Sequence, residues 1–392
     1  MRAKRLARFV FALSLASVVW LSALQLFFRP DPLELAGPGI TPQAQALARH
    51  QLALWGDSAA LDQSLDHLRV NNPEWDFMGR TFLVLALANM AERDPSERAR
   101  YLEVIDRIVA DTLRLEAERG HLYFLLPYGR NPGWVDTPVR SLFVDGEIAL
   151  MLAARCLVED RPDYHADLEA RMRLMHARMT AHPATLCAES YPDECWAFCN
   201  AVALAALRAG DRVLGQDHSA FFAAWIENAK ENLVDPKTGL LVSKFSLRGE
   251  VGDGPEGSSI WMTLHCLWIV DQDFARDQYR RARGELGRTL LGFGYAREWP
   301  ASWGNHADVD SGPIVPLLEA SAGSSGLALL GASTAGDRDY QASLIGSLEL
   351  AAFPLDGEAQ GLRYGAGNQV GDAVLLYSLV CGPLWEKLGA KP

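Results

Sequence analysis

The chain has 392 residues and a formal net charge of -12, with 49% hydrophobic and 22% charged residues. The acidity speaks against a nucleic-acid partner, which needs a basic face. The balance is that of an ordinary globular protein, and no Gly-rich loop follows a strand pattern to hold a nucleotide.

The first segment differs from the rest. Arg2, Lys4, Arg5 and Arg8 precede a nearly uncharged run from Phe9 to Phe28. That run has the length of a membrane-spanning helix. Basic residues stay on the cytoplasmic side, which places everything after Arg29 outside. Residues 1–29 are therefore expected to be a signal-anchor transmembrane segment in the inner (cell) membrane, with a periplasmic domain beyond it. Cleavage as a signal peptide is the rival reading, and Leu21-Ser22-Ala23 matches a cleavage site weakly. Pro30, Pro32, Gly37, Pro38 and Gly39 mark 30–41 as a linker.

Residues 42–392 show apolar spacing of the helical rather than the alternating kind. Twelve helices are predicted, over 42–65, 76–92, 97–118, 140–157, 164–181, 193–209, 218–233, 257–271, 273–291, 313–333, 338–351 and 369–388. Residues 77–88, 148–154 and 374–380 are nearly all apolar, whereas 98–116, 164–179 and 274–288 carry a charged face. Helices buried all round, alternating with amphipathic ones, imply an inner and an outer ring. Twelve helices make six hairpins, so the fold class is all-α, an (α/α)6 toroid. The loops over 123–137, 249–257 and 292–312 are long and rich in Gly, Pro, Asp and Trp, and they are expected to converge on one mouth.

The densest chemistry lies in Ser190-Tyr191-Pro192-Asp193-Glu194-Cys195-Trp196-Ala197-Phe198-Cys199-Asn200. Pro192 suits a first helical turn, and Asp193 and Glu194 suit the positive end of a helix dipole. These residues predict a buried helix from about Asp193 with its polar end at a cavity. Asn200 brings four hydrogen-bonding sites that need partners. Six cysteines are too few to frame a fold with disulfides. Cys195 and Cys199 lie one helical turn apart, awkward for a mutual bond, while a bridge from Cys187 to either stays open. Cys187, Cys195, Cys199 and His265 match no structural zinc spacing, so no metal is expected.

Asp145 and Glu147 begin another buried helix. A carboxyl in an apolar wall has a raised pKa and can donate a proton near neutrality. A helix cap is the plainer alternative for both. Trp299, Trp303, His306, Asp308 and Asp310 form a second rich stretch, in which Asp310 either caps a helix or faces the mouth. Glu256 divides between the same two roles. His265, beside Cys266, is either a core histidine or part of the pocket.

Over roughly 70–290 the chain resembles the linalool dehydratase-isomerase family. The matching stretches are 191–193 with Cys199-Asn200, 233–241, 259–263, 273–279 and 146–151. The resemblance implies an (α/α)6 barrel and cofactor-free dehydration of a tertiary allylic alcohol. It maps one family cysteine onto Cys199, the other onto Ser190, the histidine onto Glu147 and a pocket tyrosine onto Trp261. Only the first of these positions keeps the family's residue.

The first functional expectation is accordingly a lyase or isomerase that dehydrates a small, terpenoid-like alcohol without a cofactor. Glu147 would be the acid, tuned by Asp145, with Cys199, Asp193 and Asp310 sharing the catalysis. Ser190, Tyr191, Trp196, Asn200, Trp261, His265, Trp299 and Asp308 would bind a small-molecule substrate. The alternative is a carbohydrate-active enzyme, a glycoside hydrolase or epimerase, with Asp145 or Glu147 opposed to Asp308 or Asp310 across a sugar. A non-catalytic periplasmic binding protein is the third reading. A homo-oligomer stays open.

Overall fold

A computed structural model of the chain describes residues 2–303, 311–357 and 361–390. The helices are, in chain order, α1 (Arg2–Phe28), α2 (Pro32–Leu35), α3 (Pro42–Gly56), α4 (Ser58–Asn71), α5 (Pro73–Arg93) and α6 (Arg98–Arg119). They continue as α7 (Leu142–Val158), α8 (His165–Thr180), α9 (Ala197–Leu214), α10 (Ser219–Asn232) and α11 (Gly257–Leu267). The last are α12 (Gln272–Glu285), α13 (Ala322–Ala335), α14 (Arg338–Ala351), α15 (Gln369–Val380) and α16 (Pro383–Lys387).

The odd-numbered helices from α5 to α15 form a closed ring. Each packs on the next, and α15 returns to pack on α5. The even-numbered helices α6, α8, α12 and α14 pack outside them. This is the predicted toroid. Short connections join each inner helix to its outer partner, so each pair runs antiparallel and the six inner helices run one way. The long connections over 120–141, 181–196, 233–256, 286–321 and 352–368 therefore gather at the end where the inner helices begin. Helix α1, long and apolar enough to cross a membrane, lies outside the ring.

Several predicted boundaries move. The expected helix over 42–65 breaks at Asp57, whose backbone is extended and whose carboxylate accepts from Ala60 N–H at 3.2 Å. The helices expected to reach 291 and to start at 313 give way to a four-stranded sheet. Its strands are β4 (Gly287–Leu290), β5 (Phe293–Arg297), β6 (Ile314–Val315) and β7 (Ala320–Ser321), in the order β4-β5-β7-β6. Two smaller sheets join β1 (Cys195–Trp196), β2 (Lys244–Phe245) and β3 (Val251–Asp253), and β8 (Pro354–Gly357) with β9 (Gly361–Tyr364). Strands this short carry too few alternating residues to register as a pattern.

One glycine sets the wall of the ring. A Cβ on Gly146 of α7 would stand 3.3 Å from Ala203 N and 3.4 Å from Ala203 Cα, both backbone atoms of α9. Backbone cannot step aside as a side chain can. Gly146→Val is expected to lower stability by about 2–3 kcal/mol, measured as a shift of the urea midpoint, although Gly is the poorer helix former.

Candidate active site

Helix α9 begins at Ala197, not at Asp193. Residues 190–196 instead form a tight hairpin in which Ser190 N–H and Tyr191 N–H both donate to Glu194 O, at 2.8 and 3.2 Å. Pro192 and Asp193 are its corner, and Asp193 has φ +55°. Pro followed by a left-handed residue is the signature of a type II turn, and Asp tolerates that region better than most side chains. Asp193 is consequently exposed at the rim. The buried Glu189 holds the corner from below, accepting from Asp193, Val135 and Asp136 N–H groups at 2.9 Å each.

The axis of the ring carries Glu147. It is 1% exposed, and its Oε2 has no hydrogen-bond partner. Burial pushes its carboxyl up to about 8; nearby Thr81 partly offsets this and the Glu74 charge adds to it. Glu147 is therefore neutral at pH 7. Thr81 Oγ1, Ser190 Oγ and Ser259 Oγ are also buried without partners, so α5, α7, α11 and the hairpin each turn a polar atom inward. Cys199 is 7% exposed. Burial raises its pKa, Ser190 opposes the rise, and Glu74 and Glu147 reinforce it. The thiol keeps its proton and is a weak donor, not a thiolate base.

Glu74, in the first turn of α5, is the half-buried carboxylate above this axis. Tyr191 links it to the hairpin: its hydroxyl donates to Glu74 Oε1 and accepts from Leu126 N–H at 2.8 Å. Tyr128 stacks on Tyr191 with centroids 4.4 Å apart. Its hydroxyl donates to Glu194 Oε2 at 3.3 Å, and Trp196 Nε1–H donates to the same oxygen at 3.2 Å. Lys244 Nζ pairs with Asp253 at 2.6 Å and sits 5.5 Å from the Trp196 ring centroid. Trp299 and Trp303 lie parallel, 6.2 Å apart and half-buried. A Cβ at Gly254 would overlap the Trp303 ring, so this glycine gives the tryptophan its place. The mouth is thus aromatic and polar, with alternating charges.

No family model matches the chain. Solved structures do. An enzyme designated UGL, holding dGlcA-Glc-Rha-Glc, matches with TM-score 0.50 and 14% identity over 76% of this chain and 84% of that one. The unsaturated glucuronyl hydrolase of Bacillus sp. GL1 gives 0.49 and 14% over the same shares. A family 76 α-mannanase from Bacteroides thetaiotaomicron gives 0.48 and 11% over 77% of this chain and 84% of that one. The first of these agrees with the toroid read from helix packing. The dehydratase-isomerase expectation is corrected here. Its apolar pocket is replaced by a polar, aromatic rim, and the structure matched at TM-score 0.50 holds the saccharide dGlcA-Glc-Rha-Glc.

Several expected site residues lie elsewhere. Asp145 faces away from Glu147, because two residues of helix turn a side chain by about 200°. It pairs with Arg140 at 2.5 Å and Arg171 at 2.8 Å on the outer side of α7. There Glu116 is held down at about 2: burial opposes this, but hydrogen bonds from His121 and Arg171 outweigh it. Glu116, His121 and Asp145 are also close enough together to grip a cation, as are Cys156, Asp160 and His165. The two arginines already occupy the first group, which sits on the outer side of α7. Asn200 is saturated by the hairpin stem, accepting from Ala188 N–H at 3.1 Å and donating to Trp196 O at 2.9 Å. Trp261 is fully buried between α11 and α13, with its N–H on Ser324 Oγ at 3.1 Å.

His265 lies at the far end of the ring. It bridges Thr334 Oγ1 at 2.6 Å and Tyr377 hydroxyl at 2.8 Å, and it stacks on Trp385 at 4.8 Å. Asp308 and Asp310, with His306, lie outside the described residues. Cys187 and Cys195 are both buried thiols. Besides Glu189, two acids escaped the sequence reading. Glu74 follows the helix-start pair Asn72-Pro73, a signal that would have found it. Glu298 accepts from Ser258 N–H at 2.8 Å and from Ser321 Oγ at 2.5 Å, so it ties the starts of α11 and α13 together. No local signal marked it.

Two stability measurements follow from these environments. Glu147 has a folded pKa above its unfolded value, so it favours folding most at low pH, and that benefit is lost as pH rises from about 4.5 to about 8. Glu147→Gln should leave Tm nearly unchanged at pH 4.5 and raise it progressively toward pH 8, by up to roughly 5 kcal/mol of stability. Burial depresses His265 to about 3, so the reverse holds: its contribution is present above pH 6.5 and fades as pH falls toward 3. His265→Ala should cost about 3 kcal/mol at pH 7 by urea unfolding, through lost packing and the loss of the Tyr377 hydroxyl's partner.

Proposed function

We propose that the chain is an enzyme that hydrolyses glycosidic bonds, held to a membrane by α1 with the toroid on the outer side. The observation that carries the reading is a pair of carboxyls within reach of each other's charge, Glu147 buried in the axis with its pKa raised and the half-buried Glu74, whose Oε1 accepts from the Tyr191 hydroxyl. Two carboxyls in unlike surroundings are suited to opposite roles. Glycoside hydrolysis requires such a pair. The fold likeness to a structure holding dGlcA-Glc-Rha-Glc supports a saccharide in the mouth.

The chemistry runs as follows. A sugar ring lies against Tyr128 and Trp196, whose faces are apolar and whose edges carry hydrogen-bonding groups. Glu147 gives its proton to the glycosidic oxygen as the bond to the anomeric carbon breaks. Its neighbour Cys199 retains 7% exposure, so the acid lies one side chain from solvent. Glu74 takes a proton from the attacking water, whose oxygen bonds to the anomeric carbon. Tyr191 orients Glu74 through its hydroxyl, and Glu189 orients Tyr191 through the hairpin corner.

The test is the purified full-length chain in detergent, incubated with a panel of chromogenic glycosides and oligosaccharides and assayed for new reducing ends. Glu74→Gln and Glu147→Gln should each lower kcat by about 10³-fold with unchanged circular dichroism. Activity should decline as pH rises through about 8, where Glu147 loses its proton. Absence of product from folded protein across the panel, or full turnover in both variants, would overturn the proposal.

A further inference from the structure

The hairpin β4–β5 projects along the outer side of the toroid and ends beside α1. A Cβ on Gly292, at its tip, would come within 2.5 Å of the Gln25 carboxamide. The contact is pinned nearby by Arg29, which pairs with Asp339 at the start of α14 at 2.9 Å. Residues 289–296 of the hairpin, Thr-Leu-Leu-Gly-Phe-Gly-Tyr-Ala, carry no charge, and Arg288 and Arg297 flank them. Leu290 is 48% exposed, and Leu26 and Phe27, which follow Gln25 on α1, are 73% and 82% exposed.

Length fixes the level of this tip. The apolar run from Phe9 to Phe28 spans about 30 Å as a helix, no more than the hydrocarbon thickness. All of it is needed to cross. Gln25 lies about 4.5 Å before the end of that run, so whatever touches Gln25 sits at the bilayer boundary.

The turn itself adds a second, independent observation. Leu291 and Gly292 both have positive φ, +52° and +90°, the geometry of a two-residue type I′ turn. The first position of such a turn favours Asn, Asp or Gly; a bulky apolar residue there is strained. Leu291 is half-buried beside the exposed Leu290, and strain kept at such a tip argues for a use of the side chain.

We propose that the β4–β5 tip is a second membrane contact, inserting Leu290 and Leu291 into the interfacial layer of the bilayer beside α1. The occupant of this apolar face is lipid, and the contact fixes how the toroid leans on the membrane. It rests on the reading of α1 as an anchor and is independent of glycoside hydrolysis.

The full-length chain is reconstituted in phosphatidylcholine vesicles with a nitroxide on a single introduced cysteine, at Val18→Cys, Leu290→Cys or Glu118→Cys. Glu118 is on α6, across the ring from α12 and α14. The unsubstituted chain supplies the background from the native thiols. Accessibility to oxygen relative to a water-soluble nickel complex reports depth. The expected ratio at Leu290 is at least about threefold that at Glu118, with Val18 higher still. Adding Leu291→Asn should bring the Leu290 ratio down toward that at Glu118. A lipid-like Val18 with a Leu290 ratio equal to Glu118 would overturn the tip contact alone. A water-like Val18 would overturn the anchor and the tip contact together.

Discussion

The last inner helix has to meet the first. α15 and α5 are separated by most of the chain, yet they pack along their length, with Gly79 of α5 facing Val370 of α15. Until that contact forms, the inner helices make a curved stack with two open edges. Once it forms, six helix starts face one small area, and described loop residues that are far apart in sequence share a rim. Six helix starts also bring six partly positive ends together. Carboxylates gather there accordingly: Glu74 and Asp372 in first turns, Glu256 and Glu298 at the start of α11.

Two acids two residues apart illustrate how strongly the ring partitions its chemistry. Asp145 points outward into a cluster of arginines and stays within a network of charge-assisted bonds. Glu147 points inward, where no cation offsets its charge, and it stays neutral instead. A closed ring with unpartnered hydroxyls from several walls tolerates such a group only because the proton removes most of the desolvation penalty. The outer cluster maintains the architecture, and the inner acid is available for reaction.

The toroid was legible because inner and outer helices differ in composition, and 77–88 and 374–380 can only be buried. The hairpin over 190–196 was not, because Pro192-Asp193 suits a helix start and a type II turn equally well. What separates the two is the sign of φ at Asp193, which depends on Glu189 accepting its N–H. That partner is near in sequence but carries no motif. Residues 287–321 were misread for a different reason: strands of two to five residues depend on cross-strand partners, which periodicity does not display. Among site residues, Glu147 stood out as an acid in an apolar run. Its partner did not, since Glu74 lies just before the apolar stretch of α5 that drew the helix boundary. Tyr191 was visible as chemistry, but its role in joining α5 to the hairpin required coordinates.

The stack of His265 on Trp385, bonded to Thr334 and Tyr377, closes the ring where the inner helices end. Glu147, in the second turn of α7, lies toward the opposite end. The two ends of the ring thus divide the work, with interlocked side chains at one and the reactive groups at the other.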